Sequence, residues 1–153
     1  MTKAIYFDMD GTVANLYDVP NWLEKLQAQD ATPYIEAKPL IDMEELKTVC
    51  NILVNQGYTI GVITWLANNS TPEYDKKVIY AKQNWLKQNM PYITQYHPIP
   101  YGMPKQKAVK KSNLMILVDD NENVRKLWNT PKQRISIDAN KNIIEELYKL
   151  VEV

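Results

Sequence analysis

The run Lys3-Ala4-Ile5-Tyr6-Phe7-Asp8-Met9-Asp10-Gly11-Thr12 decides how the rest of the chain is read. Its first half is apolar and reads as a buried strand that stops at Asp8. Two carboxylates two residues apart follow, and Gly11 then lets the chain turn sharply. The same pattern recurs further along. Tyr58-Thr59-Ile60-Gly61-Val62-Ile63 reads as a second buried strand ending at Thr64. Leu114-Met115-Ile116-Leu117-Val118 is the clearest strand and ends at Asp119-Asp120. Two shorter runs, Tyr92 to His97 and Arg134 to Ile137, bring the strands to five.

Helical patterns fill the spaces between them. Asp18 to Gln29 predicts a helix with Asp18 as cap, Pro20 near its start, and Trp22, Leu23 and Leu26 on one face. Gln29 to Leu40 holds two prolines and shows no period, so it reads as loop. Asp42 followed by Glu45 resembles a capping box, Met43, Leu46, Cys50 and Leu53 recur at helical spacing, and Gly57 is a fitting stop. Thr71-Pro72-Glu73 opens a helix whose inner stripe is Tyr74, Val78, Ala81 and Trp85. Lys105 to Lys111 predicts a short basic helix. Asn121 to Asn129 predicts a helix with Val124, Leu127 and Trp128 inward. Asn140 is expected to cap a last helix that buries Ile143, Ile144, Leu147 and Leu150. Strands alternating with helices predict an α/β fold, a parallel sheet covered on both faces.

The chain has 153 residues, the size of one domain. The longest purely apolar run, Leu114 to Val118, is far short of the ~20 residues of a membrane span. The amino terminus lacks an apolar core and a small-residue cleavage site, so no signal peptide is expected. One cysteine, Cys50, excludes an internal disulfide and any paired-cysteine metal site. These features point to the cytoplasm. Lys plus Arg and Asp plus Glu both number 18, a net charge of zero that weighs against non-specific nucleic-acid binding. Neither GxxxxGK nor GxGxxG occurs. Ten Tyr and four Trp stand against one Phe, a bias that suits sites half dry and half wet.

In an open parallel sheet, ligands bind at the carboxyl ends of the strands. Asp8, Asp10, Thr64, Asp119 and Asp120 all lie at such ends. Four crowded carboxylates repel one another, and a hard dication relieves the repulsion. Mg²⁺ accepts carboxylate oxygens together with water and a substrate phosphate. Lys105, just after Pro104 at the expected helix start, is placed to favour an anion; Lys107 is the alternative.

The order Asp8-Met9-Asp10-Gly11-Thr12, then Thr64, then Lys105, then Asp119-Asp120 resembles the haloacid dehalogenase (HAD) superfamily of phosphatases. The resemblance implies a three-layer α/β/α sandwich whose five-stranded sheet runs fifth, fourth, first, second, third. It implies Asp8 as nucleophile, forming an aspartyl-phosphate, and Asp10 as the acid that protonates the leaving oxygen and later activates water. It implies Thr64 and Lys105 as holders of the phosphoryl oxygens. Mg²⁺ would be bound by Asp8, the Asp10 backbone carbonyl, Asp119 and Asp120. Residues 15–40 would form a minimal helical cap inserted into a single domain, 1–153. The run Asp8 to Asn15, the loop Tyr101-Gly102-Met103-Pro104-Lys105 and the strand end Leu117 to Asn121 are similar to the 5'(3')-deoxyribonucleotidase branch, although an acid is commoner where Asn15 stands. A small phosphorylated substrate, a nucleoside monophosphate above all, is therefore expected. Trp22, Tyr34 and Trp65 are the side chains expected to meet its non-phosphate part.

Blander readings compete. Asp8 and Asp10 alone would pass for turn residues. They do not start an EF-hand, because Val13 stands where that loop needs Gly and Val19 where it needs Glu. Thr64, Asp119 and Asp120 could be helix or turn caps. His97 is expected to pack or to sit in a loop rather than to catalyse, and Cys50 to sit in the core. The competing functions are a phosphatase for nucleic-acid ends and an inactive phosphate-binding or regulatory relic.

Overall fold

The computed structural model describes residues 1–153. In chain order the strands are β1 (Lys3–Phe7), β2 (Ala14–Asn15), β3 (Lys38–Pro39), β4 (Tyr58–Trp65), β5 (Gln95–Ile99), β6 (Leu114–Asp119) and β7 (Arg134–Asp138). The helices are α1 (Trp22–Gln27), α2 (Thr32–Glu36), α3 (Met43–Asn55), α4 (Pro72–Asn89), α5 (Glu122–Trp128) and α6 (Ile143–Tyr148). The main sheet is parallel throughout and runs β5-β4-β1-β6-β7, the order that the resemblance implies. The chain builds outward from β1 through β4 to β5, then returns to β6 on the other side. Between β1 and β6 the order reverses, and there the loops diverge and leave a crevice.

Alternation along each strand sends side chains to opposite faces. Ile5, Phe7, Ile60, Val62, Ile116 and Val118 join Leu46, Val49, Cys50 and Leu53 of α3 and Ile143 and Leu147 of α6 in one core. Ala4, Tyr6, Met115 and Leu117 face the other way, against Val124 and Trp128 of α5. Helices thus cover both faces, an α/β/α arrangement. A third cluster joins Leu16 and Tyr34 to Leu66 and to Tyr74, Val78 and Ala81 of α4. It seats the segment around residues 15–40 on the first half of α4. No helix is long and apolar enough to cross a membrane.

Capping follows the sequence at α3 and α4, whereas at α5 the cap is Asn121 and not Asp119 or Asp120. Asp42 accepts from the Glu44 and Glu45 amides, Thr71 from Tyr74 and Asn121 from Val124. Elsewhere the structure departs from expectation. The helix expected from Asp18 begins only at Trp22, because Asn21 takes a left-handed φ of 59° and Leu16–Asp18 forms a separate 3-10 turn. The stretch expected to be loop contains α2, opened by the Asp30 carboxylate accepting from the Thr32 amide (2.9 Å). It also contains β3, paired antiparallel with β2. Elements of five and two residues are too short to show a period. The third main strand runs to Ile99 and includes Pro98, tolerated because β5 lies on the sheet edge. The basic helix shrinks to a 3-10 turn, Lys105–Lys107. Leu127 is exposed, since the seven-residue α5 presents only Val124 and Trp128 to the sheet. Asn142 rather than Asn140 caps α6; Asn140 instead donates to the Asp120 carbonyl (2.9 Å) and the Asp138 carboxylate (2.8 Å).

Candidate active site

Register brings the polar strand ends together. Phe7 pairs with Val62 on one side and Val118 on the other. Asp8, Thr64 and Asp119, one or two residues further on, therefore lie side by side at the carboxyl edge. Beyond Asp8 the loop is held tightly: the amides of Thr12, Val13 and Ala14 all donate to the Met9 carbonyl at 3.0–3.1 Å. Gly11 takes a φ of +82°, and a Cβ there would stand 2.6 Å from Asp120 Oδ2 and 2.9 Å from the Tyr17 ring. Only glycine lets this loop lie against Asp120.

Lys105 is 3 % exposed, and its Nζ donates at 2.7 Å to both Asp8 Oδ1 and Asp119 Oδ2. Burial alone would lower its pKa, but Asp8 and Asp119 outweigh burial and raise it, so the lysine stays charged. Lys107 is exposed, so of these two it is Lys105 that meets Asp8 and Asp119. The Thr12 hydroxyl lies 3.0 Å from Asp8 Oδ2 and 3.3 Å from Asp120 Oδ1. Burial pushes the Asp8 carboxyl up, yet Lys105 and its hydrogen bonds bring it below the usual range. Burial and then Asp8 raise Asp119. Asp120 has no ammonium partner among the hydrogen bonds and salt bridges. Burial, then the Asp8 and Asp119 charges, push it up to about 7.

Asp8, Asp119 and Asp120 each offer an oxygen within 4.8 Å of the others. Four carboxylates at this edge meet two ammoniums, Lys105 and Lys82. The net negative charge and the raised Asp120 are the signature of a donor set that a divalent cation would relieve, and carboxylate oxygens are the ligands Mg²⁺ prefers. The residues fit the ion. The Asp10 carboxylate stands outside this trio, on Lys82.

Sequence reasoning missed Lys82. It is fully buried on α4, and its Nζ lies 2.8 Å from each of Asp10 Oδ2, Thr64 Oγ1 and the Trp65 carbonyl. Its signal was its place four residues after Val78 and three before Trp85, inside the apolar stripe. A lysine there would ordinarily be assigned to solvent. The Asp10 side chain is 17 % exposed, and burial raises its pKa despite Lys82.

Above these groups opens a cleft of about 520 Å³, within the usual range for small-molecule sites. Trp22, Tyr34 and Trp65 all line it, as do Tyr17 and Tyr101, which sequence reasoning did not single out. Their exposure differs. Tyr34 is 4 % exposed and spreads its ring 4.8 Å from Lys82 Nζ, as scaffold. Trp65 donates its indole N–H to the Met103 carbonyl (2.8 Å), pinning the loop before Lys105, and stands 5.2 Å from Tyr101. Trp22 meets Tyr17 edge to face at 4.9 Å, and Tyr17 is half exposed. His97 lies on the edge strand, its Nε2 3.0 Å from Gln95 Oε1, and Cys50 is buried in the core, where burial pushes its thiol up to about 12.

No protein-family model matches the chain, and no curated protein matches it. Among solved structures it is similar to the HAD domain of the effector protein Lem4 from Legionella pneumophila, at 15 % identity and a TM-score of 0.48, covering 98 % of this chain and 93 % of that one.

Proposed function

We propose that the chain is a Mg²⁺-dependent phosphomonoesterase that works through a covalent intermediate on Asp8. One observation carries this reading: Asp8, Asp119 and Asp120 converge within 4.8 Å, with Lys105 bridging the first two. Asp8, Asp119, Asp120 and the Asp10 backbone carbonyl would hold Mg²⁺, which when bound supplies positive charge against the phosphoryl oxygens.

The chain's own groups divide the remaining work. An Asp8 carboxylate oxygen attacks phosphorus, and the bond to the leaving oxygen breaks as the new one forms. Asp10, whose carboxyl is raised, gives its proton to that oxygen. In the second half Asp10 takes a proton from water, which attacks the aspartyl-phosphate and releases inorganic phosphate. Lys105 and Thr64 hold phosphoryl oxygens and offset the repulsion between carboxylate and phosphate. Residues 15–40 act as the minimal cap. A nucleoside monophosphate or similar small phosphomonoester is the substrate, supported by the aromatic wall of Tyr17, Trp22, Trp65 and Tyr101.

Phosphate release from p-nitrophenyl phosphate and a panel of nucleotides, with and without Mg²⁺, tests this reading. Turnover that needs Mg²⁺ and disappears in Asp8→Asn is expected. An intact wild-type protein that turns over no phosphomonoester would favour the inactive phosphate-binding reading instead.

A further inference from the structure

Lys82 combines complete burial with complete saturation. An ammonium has three N–H donors, and here each has an acceptor at 2.8 Å: Asp10 Oδ2, Thr64 Oγ1 and the Trp65 carbonyl. No donor remains for a ligand, so Lys82 is not a second phosphate-binding cation. Burying a lone lysine is costly unless the partners repay it, and two of its three partners are the side chains of the proposed chemistry.

The bond directions have a consequence. Thr64 Oγ1 accepts from Lys82, so its single hydrogen must point elsewhere. Thr64 is 1 % exposed, and no protein acceptor takes that hydrogen. Its O–H is thus an unspent donor at the carboxyl edge of the sheet, where β4 runs beside β1. Asp10 is tied through Oδ2 alone, and Oδ1 has no protein partner.

We infer that Lys82 is a positioning residue for the proposed hydrolysis: by donating to both Asp10 and Thr64, it leaves Asp10 Oδ1 to carry the transferable proton and turns the Thr64 hydroxyl toward the phosphoryl group. The inference rests on the phosphatase reading. It assigns catalytic geometry to a helix, α4, that carries none of the motif residues.

Lys82→Met, close in shape and without charge, tests it through leaving-group dependence. With an alkyl phosphate, whose leaving oxygen needs a proton, the first-turnover rate of leaving-group release should fall ~10²–10⁴-fold, as for loss of a general acid. With p-nitrophenyl phosphate, which needs none, the fall should be at least tenfold smaller on this same scale. In an Asp10→Asn background, Lys82→Met should cost the alkyl phosphate reaction no more than it costs the p-nitrophenyl phosphate reaction of the otherwise wild-type protein, the part that acts through Thr64, because the part that acts through Asp10 is already gone. Equal losses on both substrates, or a full additional loss in the Asp10→Asn background, would overturn the positioning role. A wild-type crystal structure with Mg²⁺ and aluminium fluoride supplies a second arm and decides the matter if Lys82→Met does not fold. Thr64 Oγ should lie within hydrogen-bond distance of the fluoride while Lys82 keeps its three protein partners; Lys82 Nζ bonded to the fluoride would overturn the inference. Wild-type protein inert toward every phosphomonoester removes the phosphatase reading and this inference with it. Wild-type turnover with leaving-group-independent loss in Lys82→Met removes only the inference.

Discussion

Gly11 shows how much of the site depends on one missing side chain. Its φ of +82° costs an L-residue roughly 1–2 kcal/mol, and a methyl would meet the Asp120 carboxylate at 2.6 Å. Gly11→Ala should therefore displace Asp120 and lower kcat/KM by roughly 10²-fold, the scale of a 1 Å misplacement. Gly102→Ala is the control: its φ is +81°, but nothing lies within 4 Å of the new methyl. It should lose a similar stability and keep its activity. Equal activity in both variants would deny Asp120 a role. Asp10→Asn should slow first-turnover release of an alkyl leaving group ~10²–10⁴-fold and that of nitrophenol much less; equal first-turnover losses would make Asp10 structural. At this scale the strand-end residues were legible in advance, because each ends an apolar run. Lys82 was not, because charge in a helix is ordinarily assigned to solvent and only the tertiary structure, which sets Tyr34 over it and Asp10, Thr64 and the Trp65 carbonyl around its head, reverses that default.

Elements with a strong period and a cap were the legible ones. α3 is capped by Asp42 and buries Leu46, Cys50 and Leu53 as their spacing requires. Asp42→Ala should cost about 1 kcal/mol and lower Tm by roughly 2–4 °C, with kcat/KM unchanged because α3 lies away from the cleft. A loss of activity in that variant, at temperatures where it stays folded, would place α3 in the site. α2 and the β2–β3 pair were not legible. Five helical residues hold no full stripe, and a two-residue ladder is specified by where the chain closes, through bonds such as Leu40 N–H to the Val13 carbonyl (2.9 Å). The turn at Lys105–Lys107 is short for a related reason: the lysine head is drawn inward to Asp8 and Asp119, and a basic surface helix would have carried it outward.

Across the molecule, the reversal of strand order beside β1 gathers the acids, and their crowding makes stability depend on pH. Asp120 sits at about 7 in the fold against ~3.9 in an unfolded chain. Below pH ~4 it is protonated in both states and carries no penalty. As pH rises toward 7 the unfolded chain gives up the proton first, so stability falls; above 7 the loss is complete. Asp119 and Asp10 are raised and act in the same sense, whereas Asp8 is lowered and its contribution is lost only in acid. Under the proposed function Mg²⁺ would bind the ionised acids and should reverse the loss. Its effect on Tm should be larger at pH 8 than at pH 5.5 and largely vanish in Asp120→Asn. A gain independent of pH, or retained in that variant, would place the ion elsewhere.

The proposed covalent step through Asp8 can be tested directly. In Asp10→Asn, p-nitrophenyl phosphate can still phosphorylate Asp8 because its leaving group needs no proton, while hydrolysis of the intermediate lacks its base. Acid-quenching that reaction in Mg²⁺ and mapping the protein by peptide mass spectrometry should find one phosphoryl group on the Asp8 carboxylate, absent from Asp8→Asn/Asp10→Asn. Nitrophenol released with no phosphoryl group on the protein, or with the group on another residue, would contradict a nucleophilic role for Asp8.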